Sequence, residues 1–258
     1  MADPIIIVGG GMAGLTAAAY LSRAEHPVLL FEKEARTGGL VNTFEHQGFF
    51  FDGGIRAIEN SGIVFPMLRQ LGMDVPMVRN GVSIGIEESV IHLQDKESLQ
   101  DYLQLLQSRF PEQADDVRRF GEAMRKIMQY MDILYGIDNP LFLDLTADKQ
   151  YLFKTFLPWL IKYIFTIGKV GRLDLPVEEY LRNLSGNQSL IDMIAQHFFK
   201  STPTFFALSY FSLYLDYQYP AGGTGTLVDH MERYILDHQG DIRRKTRIER
   251  IDLVKRQV

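Results

Sequence analysis

The chain has 258 residues, a formal net charge of −5 and no cysteine, and 46% of its residues are hydrophobic. This length is sufficient for one or two domains with a large buried core. The lack of cysteine excludes disulfides, thiolate metal sites and a cysteine nucleophile, and it fits a reducing compartment. The acidic balance argues against nucleic acid as a partner.

The first predicted elements are a strand, a glycine-rich turn and a helix. The strand is the apolar run Ile5–Val8, and the helix is expected over about residues 13–24. Because the strand starts so early, we expect no secretory signal peptide. Between the two elements, GxGxxG spacing predicts a tight turn, close approach of backbone to a pyrophosphate, and close packing of the helix on the strand. These roles fall in that order on Gly9, Gly11 and Gly14.

A second apolar run, residues 27–31, ends at Glu32. A carboxylate at this position accepts hydrogen bonds from the 2′-hydroxyl of a ribose and disfavours a 2′-phosphate. The helix N-terminus points its amides at the phosphates. Strand, turn, helix, strand and acid together therefore predict an NAD- or FAD-like dinucleotide rather than NADP. The alternative is a plain βαβ unit with a glycine-rich connection and no ligand.

Another glycine pair, Gly38-Gly39, follows soon after the acid, and Gly53-Gly54 comes later. Simple NAD binding does not need the Gly38-Gly39 pair, but it suits a cofactor that continues beyond the pyrophosphate. Taken alone, the pair is equally typical of a turn between strands.

The middle of the chain, residues 80–218, predicts a separate domain. Val82–Ile86 and Ser89–Leu93 are typical of short strands, and apolar spacing over about residues 99–134 predicts helices. Residues 81–85 match the GxSxG pattern of hydrolases, but a hairpin follows instead of the helix that this pattern requires. We therefore do not expect hydrolase chemistry. The six histidines contain no HxxxH pair, and no metal site is expected.

Residues 151–172 are rich in aromatic and aliphatic side chains, with four basic residues and no acid. Pro158 and two internal lysines argue against a transmembrane span, which needs about 20 mostly apolar residues. The composition favours a helix that lies in a membrane interface. The alternative is a buried core helix whose lysines reach solvent. A second aromatic run, residues 205–215, either walls an apolar tunnel or is a buried helix.

The last predicted block is a glycine loop at residues 219–227 that opens a helix, followed by segments 240–243 and 246–251. No lysine follows the last glycine of this loop, so it is not a P-loop. The tail from residue 241 is basic and lacks aromatic stacking residues, which predicts a solvated hairpin face rather than a nucleic-acid interface.

The segment from Arg36 to Leu40 and the loop around Gly222 resemble corresponding blocks of the FAD-dependent amine oxidase superfamily. Within it, the sequence is similar to CrtI-type phytoene (carotenoid) desaturases over nearly the whole chain. The resemblance implies an α/β fold. A Rossmann-like FAD/NAD(P)-binding domain would comprise residues 1–79 and 219–258, with an inserted, largely helical α+β substrate and membrane-associating domain at 80–218.

The cofactor implied by this resemblance is FAD, and no catalytic acid or base is identified. The loop from Gly222 to Gly225 would lie near the flavin and a substrate tunnel, and Ile248 matches a strand position whose backbone contacts the adenine. The residues expected to bind FAD are Gly9, Gly11, Met12, Ala13, Gly14, Glu32, Lys33, Arg36, Gly38, Gly39, Leu40, Asp52, Gly53, Gly54, Gly222, Gly223 and Ile248.

The implied function is dehydrogenation of an apolar isoprenoid or carotenoid by hydride transfer to flavin. The expected location is the cytoplasm, with peripheral contact to the inner face of the membrane through residues 151–172. Members of the family are considerably longer than this chain. An alternative is therefore a non-catalytic nucleotide-binding half-protein or fragment that needs a second polypeptide to complete the fold. A plain NAD-dependent dehydrogenase is disfavoured by the Gly38-Gly39 pair.

Overall fold

A computed structural model describes residues 3–60, 62–143, 148–252 and 255. The strands are β1 (Ile5–Val8), β2 (Val28–Phe31), β3 (Thr43–His46), β4 (Phe49–Asp52), β5 (Met77–Arg79), β6 (Val82–Ile86), β7 (Ser89–Leu93), β8 (Gln218–Pro220) and β9 (Gly240–Arg243). The α-helices are α1 (Met12–Arg23), α2 (Val64–Leu71), α3 (Ser98–Arg109), α4 (Ala114–Leu134), α5 (Lys149–Tyr151), α6 (Leu157–Val170), α7 (Val177–Arg182), α8 (Gln188–Ala195), α9 (Thr204–Asp216) and α10 (Gly225–Asp237).

The chain forms two compact units. The first contains the described residues of Met1–Ile58, Met67–Val78 and Gln218–Val258, and the second contains those of Glu59–Pro66 and Arg79–Tyr217. This division differs from the domain boundaries predicted from the sequence mainly at residues 59–66, which group with the second unit. The role of the second unit as a substrate domain stays a prediction.

The first unit is built on a parallel sheet with the strand order β1-β2-β9. In its register, Val28 of β2 lies opposite Ile5 on one side and Gly240 on the other. Helices α1 and α10 pack against each other, and Leu15 of α1 and Met231 of α10 are fully buried. The predicted βαβ unit is confirmed, with a helix that starts one residue earlier than expected.

Two further strand pairs complete the first unit. Strands β3 and β4 form a hairpin in which Thr43 lies opposite Asp52. Strand β5 pairs with β8, which leads into α10 through the glycine loop. This loop opens a helix, as the sequence predicted.

The second unit combines one hairpin with a helical core. Strands β6 and β7 pair with Ser83 opposite His92, so the GxSxG segment lies in the expected hairpin, not at a strand-to-helix turn. Helix α4 packs against α3, α6 and α9, and Tyr102, Phe120 and Leu208 lie in the buried core. Helix α9 is one of the buried helices, with Leu208 and Phe211 inside.

Residues 149–173 form one helical stretch in the second unit. Helix α5 continues through a π-helical segment, Leu152–Phe156, into α6, and a 3₁₀ turn, Gly171–Leu173, ends the stretch. Among the described residues, no helix has the length and hydropathy needed to cross a bilayer.

The strand that the resemblance implies around Ile248 is wrong, and none of the described residues 244–251 forms a strand that folds back on β9. The rest of the predicted hairpin face, residues 253, 254 and 256–258, lies outside the described residues. Strand β9 pairs with β2 in parallel and ends at Arg243, and Ile248 lies outside any strand. Lys245 has a positive φ of 54°, which interrupts the extended backbone. The amides of Lys245 and Thr246 then donate to the carbonyls of Glu34 and Glu32. The chain therefore follows the loop after β2 instead of folding back on β9.

Candidate cofactor-binding site

The glycine turn between β1 and α1 has the geometry that its spacing predicts. Gly9 has a φ of +100°, which favours glycine, and its amide donates to the Phe31 carbonyl at 2.8 Å. A side chain at Gly14 would collide with the Gly9 carbonyl oxygen, whereas a side chain at Gly11 would have no atom within 4 Å. Gly14 therefore serves packing, and Gly11 leaves open space beside the turn.

The N-terminus of α1 has no side-chain cap among the described residues. Gly11 is its N-cap and offers no side-chain hydrogen bond, and the first turn, which includes Met12 and Ala13, has no acidic residue. The first amides of a helix have no intrahelical partner, and the helix dipole places partial positive charge there. The turn can therefore bind a phosphate group through its backbone.

Glu32 is held against this turn. Its Oε2 accepts the Gly10 amide at 2.6 Å, and its Oε1 accepts the Glu34 amide at 2.9 Å. Each carboxylate oxygen has a second lone pair, so the side chain can still accept hydrogen bonds from a ribose. Glu32 lines a concavity of about 300 Å³ together with Arg36 and Gly39. The neighbouring Lys33 is exposed and pairs with Glu34 at 3.4 Å.

The second glycine pair lies directly beside the first turn. The Gly38 amide donates to the Gly10 carbonyl at 2.7 Å, and Gly38 forms an isolated parallel bridge with Gly11. A side chain at Gly39 would lie 3.4 Å from the Gly11 Cα. Two segments that are separate in sequence therefore form one glycine-lined cradle, and Leu40 at its end is exposed.

Asp52 joins three segments behind this cradle. Its two oxygens accept hydrogen bonds from the Tyr219 hydroxyl at 2.6 Å, the Thr224 hydroxyl at 2.9 Å, the Thr224 amide at 3.1 Å and the Thr43 hydroxyl at 3.1 Å. Burial opposes ionisation of Asp52, but these hydrogen bonds lower the pKa of the carboxyl below its usual value. The same contact with Asp52 raises the pKa of Tyr219 to about 12. Asp52 therefore holds protein groups and acts by positioning.

Most of the remaining glycines contact Thr43 or the residues just before it. The Gly225 amide donates to the Thr43 hydroxyl at 2.9 Å, and a side chain at Gly223 would come within 2.5 Å of the same oxygen. The Arg36 guanidinium donates to the Thr43 carbonyl at 2.7 Å. Gly53 donates its amide to the Asn42 carbonyl, Gly54 packs on Leu40, and Gly222 is exposed with a φ of +93°.

The structure thus brings together the candidates from Gly9 to Gly54 with those at Gly222 and Gly223. Ile248 differs, because it is half-buried in a segment outside the sheet. Whether any of these residues contacts a cofactor stays a prediction.

Several residues that organise the cradle were not among the predicted candidates. Besides Thr43, Tyr219 and Thr224, they include Glu232 of α10, which accepts from the Thr37 hydroxyl and from Arg244 at 2.6 Å. Thr43 could have been found from the sequence, because a hairpin formed by β3 and β4 places Thr43 opposite the candidate Asp52. The bonds to Tyr219, Thr224 and Glu232 join segments that are far apart in sequence, and no local pattern indicates them.

Comparison with known proteins supports the Rossmann-like fold of the first unit. Residues 7–71 match the family model of an NAD(P)-binding Rossmann-like domain. The chain is 25% identical over 257 residues to a Danio rerio protein named inactive all-trans-retinol 13,14-reductase, covering 92% of this chain and 40% of that protein.

Two solved structures share the fold. A Pyrococcus furiosus protein superposes with a TM-score of 0.60 at 18% identity, covering 96% of this chain and 53% of that chain. A Methanosarcina mazei oxidoreductase gives a TM-score of 0.59 at 16% identity, covering 96% and 52%. The chain therefore spans about half the length of these relatives or less. The fold class predicted from the sequence, mixed α/β with a Rossmann-like NAD(P)-binding domain, is confirmed.

Proposed function

We propose that this chain forms the ADP-binding part of an FAD site in an FAD-dependent oxidoreductase. The observation that carries the proposal is the joining of two glycine segments into one cradle, with the Gly38 amide on the Gly10 carbonyl at 2.7 Å. A turn for NAD alone needs only the first segment. The second extends the backbone-lined surface past the helix N-terminus, which suits a longer dinucleotide.

The residues present fit the chemistry of that cofactor. The open space at Gly11 lets a pyrophosphate reach the uncapped amides of α1. The remaining lone pairs of Glu32 suit ribose hydroxyls, and the Arg36 guanidinium borders the same concavity. Asp52 and Thr43 fix the loops that would continue along the cofactor. Bound FAD would supply the hydride acceptor, and the protein supplies binding and orientation.

For the substrate, we propose an apolar isoprenoid or polyene, which loses a hydride to the cofactor and a proton to solvent as a C–C bond becomes C=C. The name of the Danio rerio relative refers to a retinol, which belongs to this chemical class. A carotenoid is one member of the class. Product analysis by chromatography in a host that makes carotenoids would test this part.

A second candidate is a nucleotide-binding half that a second polypeptide completes. It is favoured by β1, an edge strand of the described sheet whose residues Ile5 and Val8 are 37% and 48% exposed. Apolar parallel strands are normally covered on both sides. In this case the isolated chain would bind FAD without turnover.

Titration with FAD tests the proposed site. We expect the wild-type chain to bind FAD with a flavin absorbance band that a reductant bleaches. Gly11→Ala should weaken binding at least about tenfold, because the added methyl occupies open space beside the turn while leaving the fold intact. Gly85→Ala is the matched control, since Gly85 also has no atom within 4 Å and lies in β6. Equal FAD affinity of both variants, or a wild-type chain that gains no flavin band, would contradict the proposal.

A further inference from the structure

The helical stretch 149–173 presents an apolar stripe that the described part of its unit does not cover. Its members lie along one face at the helical spacing, and they are between 39% and 71% exposed. They are Phe153, Leu157, Ile161, Ile164, Phe165 and Ile167. Apolar side chains so grouped mark an interaction site more often than scattered ones do.

The opposite face of the same stretch is fixed to the second unit. The Trp159 indole donates to the Ile133 carbonyl of α4 at 2.5 Å, and α6 packs against α4. Within the stretch, Phe156 and Tyr163 pack on the Trp159 ring at centroid distances of 5.7 and 5.0 Å. Thr166 is buried on this side. The helix is therefore held by its packed face, and the apolar stripe on its other face points away from the core of the unit.

The charged residues of the stretch itself are all of one sign. Lys154, Lys162, Lys169 and Arg172 are exposed, and no acidic residue occurs between Asp148 and Asp174. This local excess of basic residues contrasts with the net charge of −5 for the whole chain. At 3.6 residues per turn, Lys162 and Lys169 fall between the apolar stripe and the packed face, with Lys154 and Arg172 toward the ends.

We infer that this face binds the surface of an anionic phospholipid bilayer, with the helical stretch lying in the interface plane. Apolar and aromatic residues enter the boundary between headgroups and acyl chains, and the basic residues contact anionic headgroups. A second copy of the chain is a poorer occupant, because two faces rich in lysine would repel each other across a symmetric contact. The inference stands independently of the proposed cofactor.

Co-sedimentation of the full chain with vesicles tests this surface. We expect binding to vesicles of phosphatidylcholine mixed with phosphatidylserine, weaker binding to phosphatidylcholine alone, and loss of binding as salt rises. Lys162→Glu/Lys169→Glu should lower the affinity at least about tenfold. Lys126→Glu/Lys200→Glu makes the same charge change at exposed positions outside the stretch, and this control should retain most of the binding.

A second variant separates the apolar contribution. Ile164→Ser/Phe165→Ser removes two exposed side chains, so the fold should persist by circular dichroism while vesicle binding falls. Three outcomes would overturn the inference: no wild-type binding to phosphatidylserine vesicles, equal losses in the stretch and control lysine variants, or a concentration-dependent dimer without vesicles that Ile164→Ser/Phe165→Ser abolishes. The last outcome would assign the face to a second copy of the chain.

Discussion

The glycine cradle of the first unit and the 149–173 stretch of the second unit differ in how their surfaces are organised. In the cradle, individual atoms have assigned partners, such as the Glu32 carboxylate with the amides of Gly10 and Glu34. Along the stretch, the exposed surface consists of hydrocarbon and ammonium groups. A small polar ligand requires the first kind of surface and a fluid bilayer the second. Single substitutions should therefore be severe in the cradle and mild along the stretch.

The largest effect is expected at the point of closest backbone packing. Gly14→Ala places a methyl group against the Gly9 carbonyl oxygen. Backbone rather than a flexible side chain blocks the methyl, so we expect a loss of about 3 kcal/mol in the free energy of unfolding of the first unit. Hydrogen exchange of the amides in α1 and β2 measures this loss.

Gly11→Ala is the control for that change, three residues away in the same turn. It meets no atom within 4 Å, and we expect a cost below about 1 kcal/mol, mostly from the poorer N-cap. Equal losses of unfolding free energy in the two variants would show that Gly14 is not needed for close packing against the Gly9 carbonyl.

The next largest effect is expected at Asp52. Asp52→Ala leaves the Tyr219 hydroxyl and the Thr224 amide without their acceptor. Unsatisfied polar groups of this kind cost about 1–3 kcal/mol, which denaturant unfolding would detect. Asp52→Asn keeps one acceptor oxygen and should lose less. A neutral effect of Asp52→Ala would mean that the three segments are held by other contacts.

Acid should act through the same carboxylate. Hydrogen bonds hold the folded pKa of Asp52 below the usual value of 3.8. The stabilisation is therefore present above about pH 4 and is lost as the pH falls through the lowered folded pKa. Comparison of wild type with Asp52→Asn across this window measures the effect. The difference between the two should shrink toward low pH, and a constant difference would contradict the assignment.

These effects also separate what local sequence could predict from what it could not. Strand β1, the βαβ unit and the β6–β7 hairpin follow from apolar runs and turns within a few residues, and the structure confirms them. The collision that makes Gly14 necessary is also encoded in short-range spacing. In contrast, Asp52 meets Tyr219 across 167 residues of chain, and only the tertiary fold supplies that partner.

The error at Ile248 also arises because local sequence does not reveal tertiary partners. The family resemblance implies a strand around Ile248, but a strand also needs a neighbour. The positive φ of Lys245 and the amide bonds to Glu34 and Glu32 direct the chain elsewhere. For residues 151–172, in contrast, the structure agrees with part of the prediction from composition. Their composition favoured an interfacial helix over a core helix, and one face is indeed exposed, although the bilayer itself stays a proposal.

The smallest effects should be those of single lysines in the stretch. Lys162→Ala changes an exposed side chain, and we expect a shift in unfolding free energy within about 0.5 kcal/mol. Its vesicle affinity should fall by roughly fivefold, the equivalent of about 1 kcal/mol per basic residue. Lys162 and Lys169 lie about 10 Å apart along the helix axis, close to the screening length at physiological salt. Their losses in vesicle binding should therefore add.

Additivity provides the sharpest contrast between the two surfaces. Asp52→Ala and Thr224→Val remove overlapping parts of one hydrogen-bond network. The double variant should therefore lose less unfolding free energy than the sum of the two single losses, by about 0.5 kcal/mol or more. Lys162→Ala and Lys169→Ala should add within about 0.3–0.5 kcal/mol in vesicle binding. Strong coupling between the two lysines would mean that they share one bound group. The stretch would then be a built site like the cradle, and a soluble anion should compete with vesicles for it.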